Sequence, residues 1–167
     1  MTCDAYHRVR PDPDMAECAR AMRLCAADAG AGMDEFELIH YHGTATQLND
    51  ALETRAVKLA FGEHARRLRG TSVKGQIGHP QGACGMAALV ATLIGMNPVC
   101  AGDEGRPFVA PTINMEEPDP DCDLDYTPNT APELERRSRL AMINCLAFGA
   151  KNAALALRAP YEPGSSR

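Results

Sequence analysis

Three short stretches hold the side chains that could do chemistry. They are His42-Gly43-Thr44-Ala45-Thr46, Lys74-Gly75-Gln76-Ile77-Gly78-His79 and Asn144-Cys145-Leu146-Ala147-Phe148-Gly149. Imidazoles at 42 and 79 could donate hydrogen bonds to a developing negative charge or move protons near neutral pH. An ammonium at 74 would disfavour protonation of a nearby imidazole. Taken singly, none of these stretches is diagnostic. A histidine after a strand is more often a satisfied structural residue than a catalyst, and a glycine in a hairpin loop usually means only turn geometry.

The elements around them must place all three at strand ends, where α/β folds put their ligands. A first helix is expected to open at Asp14. Its apolar face is Met15, Cys18, Ala19, Met22, Cys25, Ala26 and Ala29, recurring at steps of three and four, and Gly30 stops it. A strand is expected over Phe36–Tyr41, then a helix from Asn49-Asp50, with Glu53 completing a capping box from Asp50. Leu52, Ala56, Leu59 and Ala60 form that helix's apolar side, and Gly62 ends it. A short strand over Gly70–Val73, a glycine-rich loop from Lys74 to His79 and a buried helix from Gly82 to Met96 follow. Prolines and glycines make 97–111 a loop, and the acidic stretch 116–125 continues as irregular chain. Arg139–Cys145 and Ala153–Leu157 read as two strands able to pair as a hairpin around Gly149. The order of elements predicts a layered α/β fold with a mixed sheet. One domain is expected over 1–159, with a flexible tail at 160–167.

Composition excludes several functions. The 167 residues carry a net charge of −5, and no basic block is interleaved with aromatics, so nucleic acid is not an expected partner. Arg66, Arg67 and Arg69 read as a solvated face. Seven cysteines at 3, 18, 25, 84, 100, 122 and 145 show no C-x-x-C spacing. They are expected to be small, reduced and mostly buried, in a cytoplasmic protein without a disulfide framework or secretory leader. No spacing among His40, His42, His64 and His79 supports a metal site, so none is expected. The apolar run from Gly82 to Met96 is too short to span a bilayer.

The three stretches together say more than each alone. His-Gly-Thr-x-Thr, then Lys-x-x-x-Gly-His about thirty residues on, then a Phe-Gly hairpin, resembles the C-terminal half of the β-ketoacyl-ACP synthases of the thiolase-like superfamily. The likeness extends to Cys3-Asp4-Ala5-Tyr6-His7, Asn49-Asp50, Phe61-Gly62-Glu63, Pro111-Thr112-Ile113-Asn114 and Cys122-Asp123-Leu124-Asp125-Tyr126. It implies a layered α/β/α half-fold and an acyltransferase that joins an acyl thioester to malonyl-ACP with loss of CO₂, in fatty acid or polyketide synthesis. His42 and His79 match the family's histidine pair, which stabilises the thioester oxygen as enolate character develops. Lys74 matches the family lysine. Thr44 and Thr46 match threonines that hydrogen-bond the pantetheine arm. Phe148 matches the gating phenylalanine, whose backbone N–H serves the oxyanion hole, and Gly149 gives that loop its freedom. No cofactor or metal is implied beyond the phosphopantetheine of acyl carrier protein.

The departures are also informative. The family's nucleophilic cysteine belongs to the first half of its fold, and none of the seven cysteines here matches it. The resemblance therefore implies a partner, either an N-terminal ketosynthase half or another copy of the chain, besides acyl carrier protein. Cys145 stands where the family carries serine and, like Cys84, reads as a packing residue. Leu146 replaces a phenylalanine, Ala150-Lys151 replaces a glycine and a small polar residue, and Ala88 replaces a glutamate. Pro98–Arg106 looks longer than the family's connection. In the two-halved fold the 82–96 helix lies in a shared layer, so on its own it would expose one face, beside an unpaired sheet edge. A chain-length-factor-like structural subunit is the alternative. A thiolase is disfavoured because Cys145-Leu146-Ala147-Phe148-Gly149 lacks the first glycine of that enzyme's Cys-x-Gly-x-Gly loop.

Overall fold

The structure, a computed structural model, describes residues 1–98 and 105–159. The expected tail and part of the 97–111 loop lie outside the described residues, and so does much of the Pro98–Arg106 connection. A five-stranded sheet runs in the order β1-β5-β4-β2-β3, where β1 is Thr2–Cys3, β2 Leu38–His40, β3 Arg69–Thr71, β4 Leu140–Ala147 and β5 Lys151–Arg158. β2 lies parallel to both β3 and β4, whereas β5 is antiparallel to β4 and to β1. The sheet is therefore mixed, as the sequence predicts.

Alternation along the central strands splits the core in two. Ile39, Leu140 and Met142 join Met15, which precedes α1 (Ala16–Asp28), Cys18 and Met22 of that helix, and Ala56, Val57 and Phe61 of α2 (Gln47–Phe61). Leu38 and Ala141 point the other way, onto Met96 of α4 (Cys84–Met96) and Val109. The period of two along a strand puts helices on both faces. The layers are α/β/α.

Element by element, Met15, Cys18, Ala19, Met22 and Ala26 of the expected α1 face are buried, Cys25 and Ala29 only partly, and Gly30 at φ 62° closes the helix. Ala31 N–H reaches Ala26 O at 3.0 Å and Gly30 N–H reaches Ala27 O at 3.1 Å, the paired bonds of a Schellman turn. Asp14 does not cap the helix. Its own N–H bonds Asp12 Oδ1 at 3.0 Å, and Met15 precedes the helix at φ 54°. The start expected at Asn49-Asp50 is earlier, at Gln47, with Thr46 Oγ1 accepting from Asn49 N. Leu59, expected on the apolar side of α2, is half exposed. The Lys74–His79 stretch begins as one helical turn, α3 (Lys74–Ile77), before Gly78 turns the chain at φ 72°.

The helix expected to be buried is buried on one face only. Ala88, Thr92, Gly95 and Met96 pack inward, but Met86 is 61% and Val90 47% exposed. One edge of the sheet, at β3, is covered. Ser72 N–H bonds Thr112 Oγ1 at 3.0 Å, Thr71 Oγ1 bonds Ala110 O, and the Tyr126 ring lies 4.9 Å from that of Tyr41. The irregular 105–139 segment thus shields the edge from further pairing.

Candidate active site

His42 lies two residues past the end of β2, Lys74 opens α3 after β3 and His79 follows α3, so the parallel pairing of β2 with β3 delivers both loops to the same end of the sheet. The His42 and His79 rings meet edge to face, with centroids 5.3 Å apart and planes at 80°. Lys74 Nζ donates to the His42 carbonyl oxygen. The three residues singled out for catalysis therefore converge.

Tautomers follow from the partners. His79 Nδ1 accepts the Gln81 N–H at 2.9 Å, so the neutral ring carries its proton on Nε2. His42 is 5% exposed, and its Nδ1 has no hydrogen-bond partner. Burial first, then the charge of Lys74 and the neighbouring His79, pull the His42 pKa down to about 3. The imidazole is neutral at any ordinary pH and can donate a hydrogen bond without forming an ion pair. Directly behind it, His40 Nε2 accepts Val73 N–H at 3.3 Å, which leaves Nδ1–H for Thr92 Oγ1 at 3.1 Å. Burial and then Lys74 hold His40 near a pKa of about 3 as well. His40 is a fully bonded structural residue that locks β2 to α4.

Glu53 fixes the His42 loop. Its carboxylate is 1% exposed and accepts His42 N–H at 2.7 Å, Gly43 N–H at 2.9 Å and Asn144 Nδ2 at 2.7 Å. Burial raises its pKa, and those hydrogen bonds oppose the rise. The expected capping box is thus absent, because the side chain turns inward rather than back toward the helix start. The sequence carried a signal for this, since Glu53 shares the inward stripe of α2 with Ala56, Val57 and Ala60. A carboxylate on an apolar face at that spacing must find donors.

Thr44 and Thr46 bond each other through their hydroxyls at 2.9 Å and, with His42, His79, Cys84 and Phe148, line a cleft of about 690 Å³. Phe148 stands 77% exposed at the cleft's edge. Gly149 at φ 84° and Ala150 at φ 57° turn the hairpin between β4 and β5. The positive φ at Ala150 costs about 1 kcal/mol relative to glycine. Gly149 N–H is tied to Arg8 O at 2.7 Å. Cys84 and Cys145, expected as packing residues, are only half buried. The four histidines considered together do not form a ligand set among the described residues. The group whose ligand atoms do approach is His42, Cys84 and Cys145.

The mixed sheet between two helical layers, with its active loops gathered at one end, is the thiolase-like α/β half-fold. Residues 1–101 match the family described as Beta-ketoacyl synthase, C-terminal domain, and the chain belongs to that family. It is 42% identical over 158 residues to Nodulation protein E of Rhizobium sp. (strain N33), covering 95% of this chain and 36% of that protein. It is 40% identical over 158 residues to 3-oxoacyl-[acyl-carrier-protein] synthase 2 of Synechocystis sp. (strain ATCC 27184 / PCC 6803 / Kazusa), with the same coverage. The ishigamide ketosynthase/chain length factor superposes at a TM-score of 0.84 with 35% identity, over 96% of this chain and 36% of that one. The chain thus spans about a third of the length of the curated relatives it matches.

Proposed function

We propose that this chain supplies the histidine–histidine–lysine face of a 3-oxoacyl-ACP synthase, an acyltransferase acting in fatty acid or polyketide synthesis in the cytoplasm. The contact between the His42 and His79 rings, at the mouth of one cleft beside Lys74, carries this reading. Malonyl-ACP would enter with its pantetheine arm along Thr44 and Thr46. Loss of CO₂ leaves an enolate whose oxygen the two imidazoles hold through N–H donors. The enolate carbon then attacks an acyl thioester carried on a cysteine. A carbon–carbon bond forms, the carbon–sulfur bond breaks, and the thiolate leaves with the β-ketoacyl chain on the carrier. That cysteine would come from a ketosynthase first half outside these residues, or from another polypeptide bearing it. Phe148 and Gly149 would gate the acyl side and present the oxyanion hole.

The test combines the chain with a polypeptide bearing the cysteine loop, then follows CO₂ release from malonyl-ACP and condensation separately. His42→Ala and His79→Ala should each lower decarboxylation by at least about 100-fold while acyl loading survives. Decarboxylation at the parental rate in both variants would sink the assignment. A second reading, a chain-length-factor-like subunit, draws on the likeness to the ishigamide ketosynthase/chain length factor. It requires condensation to be indifferent to both histidines while product length changes.

A further inference from the structure

We infer that His42, Cys84 and Cys145 form a binding site for a thiophilic metal ion of the Zn²⁺ class. One ring nitrogen of His42 and the two sulfurs all lie within 4.8 Å of one another. A tetrahedral zinc, with metal–sulfur bonds of about 2.3 Å and metal–nitrogen bonds of about 2.0 Å, holds such atoms roughly 3.3–3.8 Å apart. Modest side-chain rotations close the set. The three come from separate elements: the loop after β2, the first turn of α4, and β4. Their convergence is therefore a product of the fold, not of a local motif.

A second observation points to a ligand. The His42 imidazole is 5% exposed, and its Nδ1 lacks any hydrogen-bond partner, although nearly every buried ring nitrogen has one. Two thiols and a buried imidazole make a three-ligand set, and two of its members, His42 and Cys84, line the cleft.

The surroundings oppose one another. Burial above all, then the neighbouring Cys84, push the Cys145 thiol up to about 11; Lys74 opposes the rise and Glu53 adds to it, so a metal has to displace the proton itself. Lys74 repels a dication and Glu53 attracts one, so the ligands themselves decide the outcome. Binding displaces two thiol protons to solvent, and the two thiolates neutralise the ion. A soft borderline cation is selected over Mg²⁺ or Ca²⁺, which prefer oxygen ligands. Occupancy would withhold His42 from the enolate, a consequence that rests on the proposed function; the binding itself does not.

The complete polypeptide, kept reduced, is titrated with Co²⁺ and then with Zn²⁺ in competition. One equivalent of Co²⁺ should bind with a thiolate-to-metal charge-transfer band. Cys84→Ser and Cys145→Ser should each halve the band and weaken binding at least about 10-fold, the double variant should abolish it, and Cys25→Ser should leave it intact. Binding without the band, or a band that persists in the double variant, overturns the site. Should a serine variant not fold, Zn²⁺ protection of the parental thiols against alkylation, mapped by mass spectrometry, reads the same point. Protection of Cys84 and Cys145 together supports the site, and its absence refutes it. Neither measurement uses turnover, so this inference and the proposed function fail independently.

Discussion

Glu53 accepts the backbone N–H of His42 at 2.7 Å, so a carboxylate from the middle of α2 sets where the first imidazole stands. The same carboxylate receives Asn144 Nδ2 from β4 at 2.7 Å. One enclosed charge thus ties together the β2 loop, the neighbouring helix and the strand that carries Cys145. Glu53→Gln keeps the shape but turns an NH₂ toward donors already aimed at it. Breaking a buried, hydrogen-bonded charge of this kind costs about 2–5 kcal/mol. Urea unfolding should show a loss in that range with an unchanged denaturant slope. A variant within about 0.5 kcal/mol of the parent would mean that the carboxylate does not organise the loop.

The pH dependence of stability follows from His40 and His42. Both are held near a pKa of about 3 in the folded chain, well below the ordinary imidazole value of 6.5. Between those limits the unfolded chain binds the protons that the folded chain refuses. Stability therefore falls as pH drops from about 6.5 toward 3, by up to roughly 1.4 kcal/mol per pH unit for each histidine. Glu53 works in the opposite sense. Its raised pKa means the folded chain takes up a proton before the unfolded one does, which relieves a cost as pH falls toward 4.5. Unfolding free energies at pH 7, 6 and 5 should decline, and His40→Asn should flatten the decline by about one proton. A flat parental curve would show that the rings are not buried neutral.

The strand-end chemistry was legible because it is local. His42, Lys74 and His79 occur in fixed short motifs, and the order of strands and helices brought the motifs to one end of the sheet. The Gly30 stop, the hairpin and the mixed sheet were legible for the same reason. What escaped was set by tertiary packing. The 3–4 spacing that marks Glu53 as inward was visible, but its partners at 42, 43 and 144 are far away in the chain, so it resembled a cap. Leu59 shares the α2 pattern yet stands half exposed. The meeting of Cys84 and Cys145 depends on how α4 is set against β4, which no local spacing encodes. The cover over β3 is irregular chain, whose path periodicity does not describe.

Gly43 combines a left-handed backbone with little room for a side chain. Its φ is +46°, and an added Cβ would lie 2.7 Å from both Cβ and Oγ of Ser72. Ser72 Oγ also donates to the Gly43 carbonyl at 3.2 Å, so the contact holds the loop in place. Gly43→Ala should cost about 2–4 kcal/mol, combining left-handed strain with overlap. Adding Ser72→Gly should recover the overlap portion but not the strain. Thermal unfolding of the single and double variants separates the two. Full recovery in the double variant would mean that backbone strain contributes nothing.

Lys74 offers the sharpest electrostatic test, because its ammonium touches the His42 carbonyl while acting on the ring through space. Burial is the larger cause of the low His42 pKa and Lys74 the next, so Lys74→Met should release only part of the shift. Losing a unit charge at partly buried range moves a neighbour's titration by roughly one pH unit. Ring-proton NMR titration should therefore find His42 moved up from about 3, yet still short of the ordinary 6.5. His40, subject to the same two causes in the same order, should move with it. A His64→Gln background removes a ring bonded to Phe36 O and simplifies the spectrum. If His42 titrates in the ordinary range in the parental chain, burial is not excluding the charge. If it stays put in Lys74→Met, the ammonium serves the backbone alone, and the lysine's part in keeping the imidazole neutral has to be abandoned.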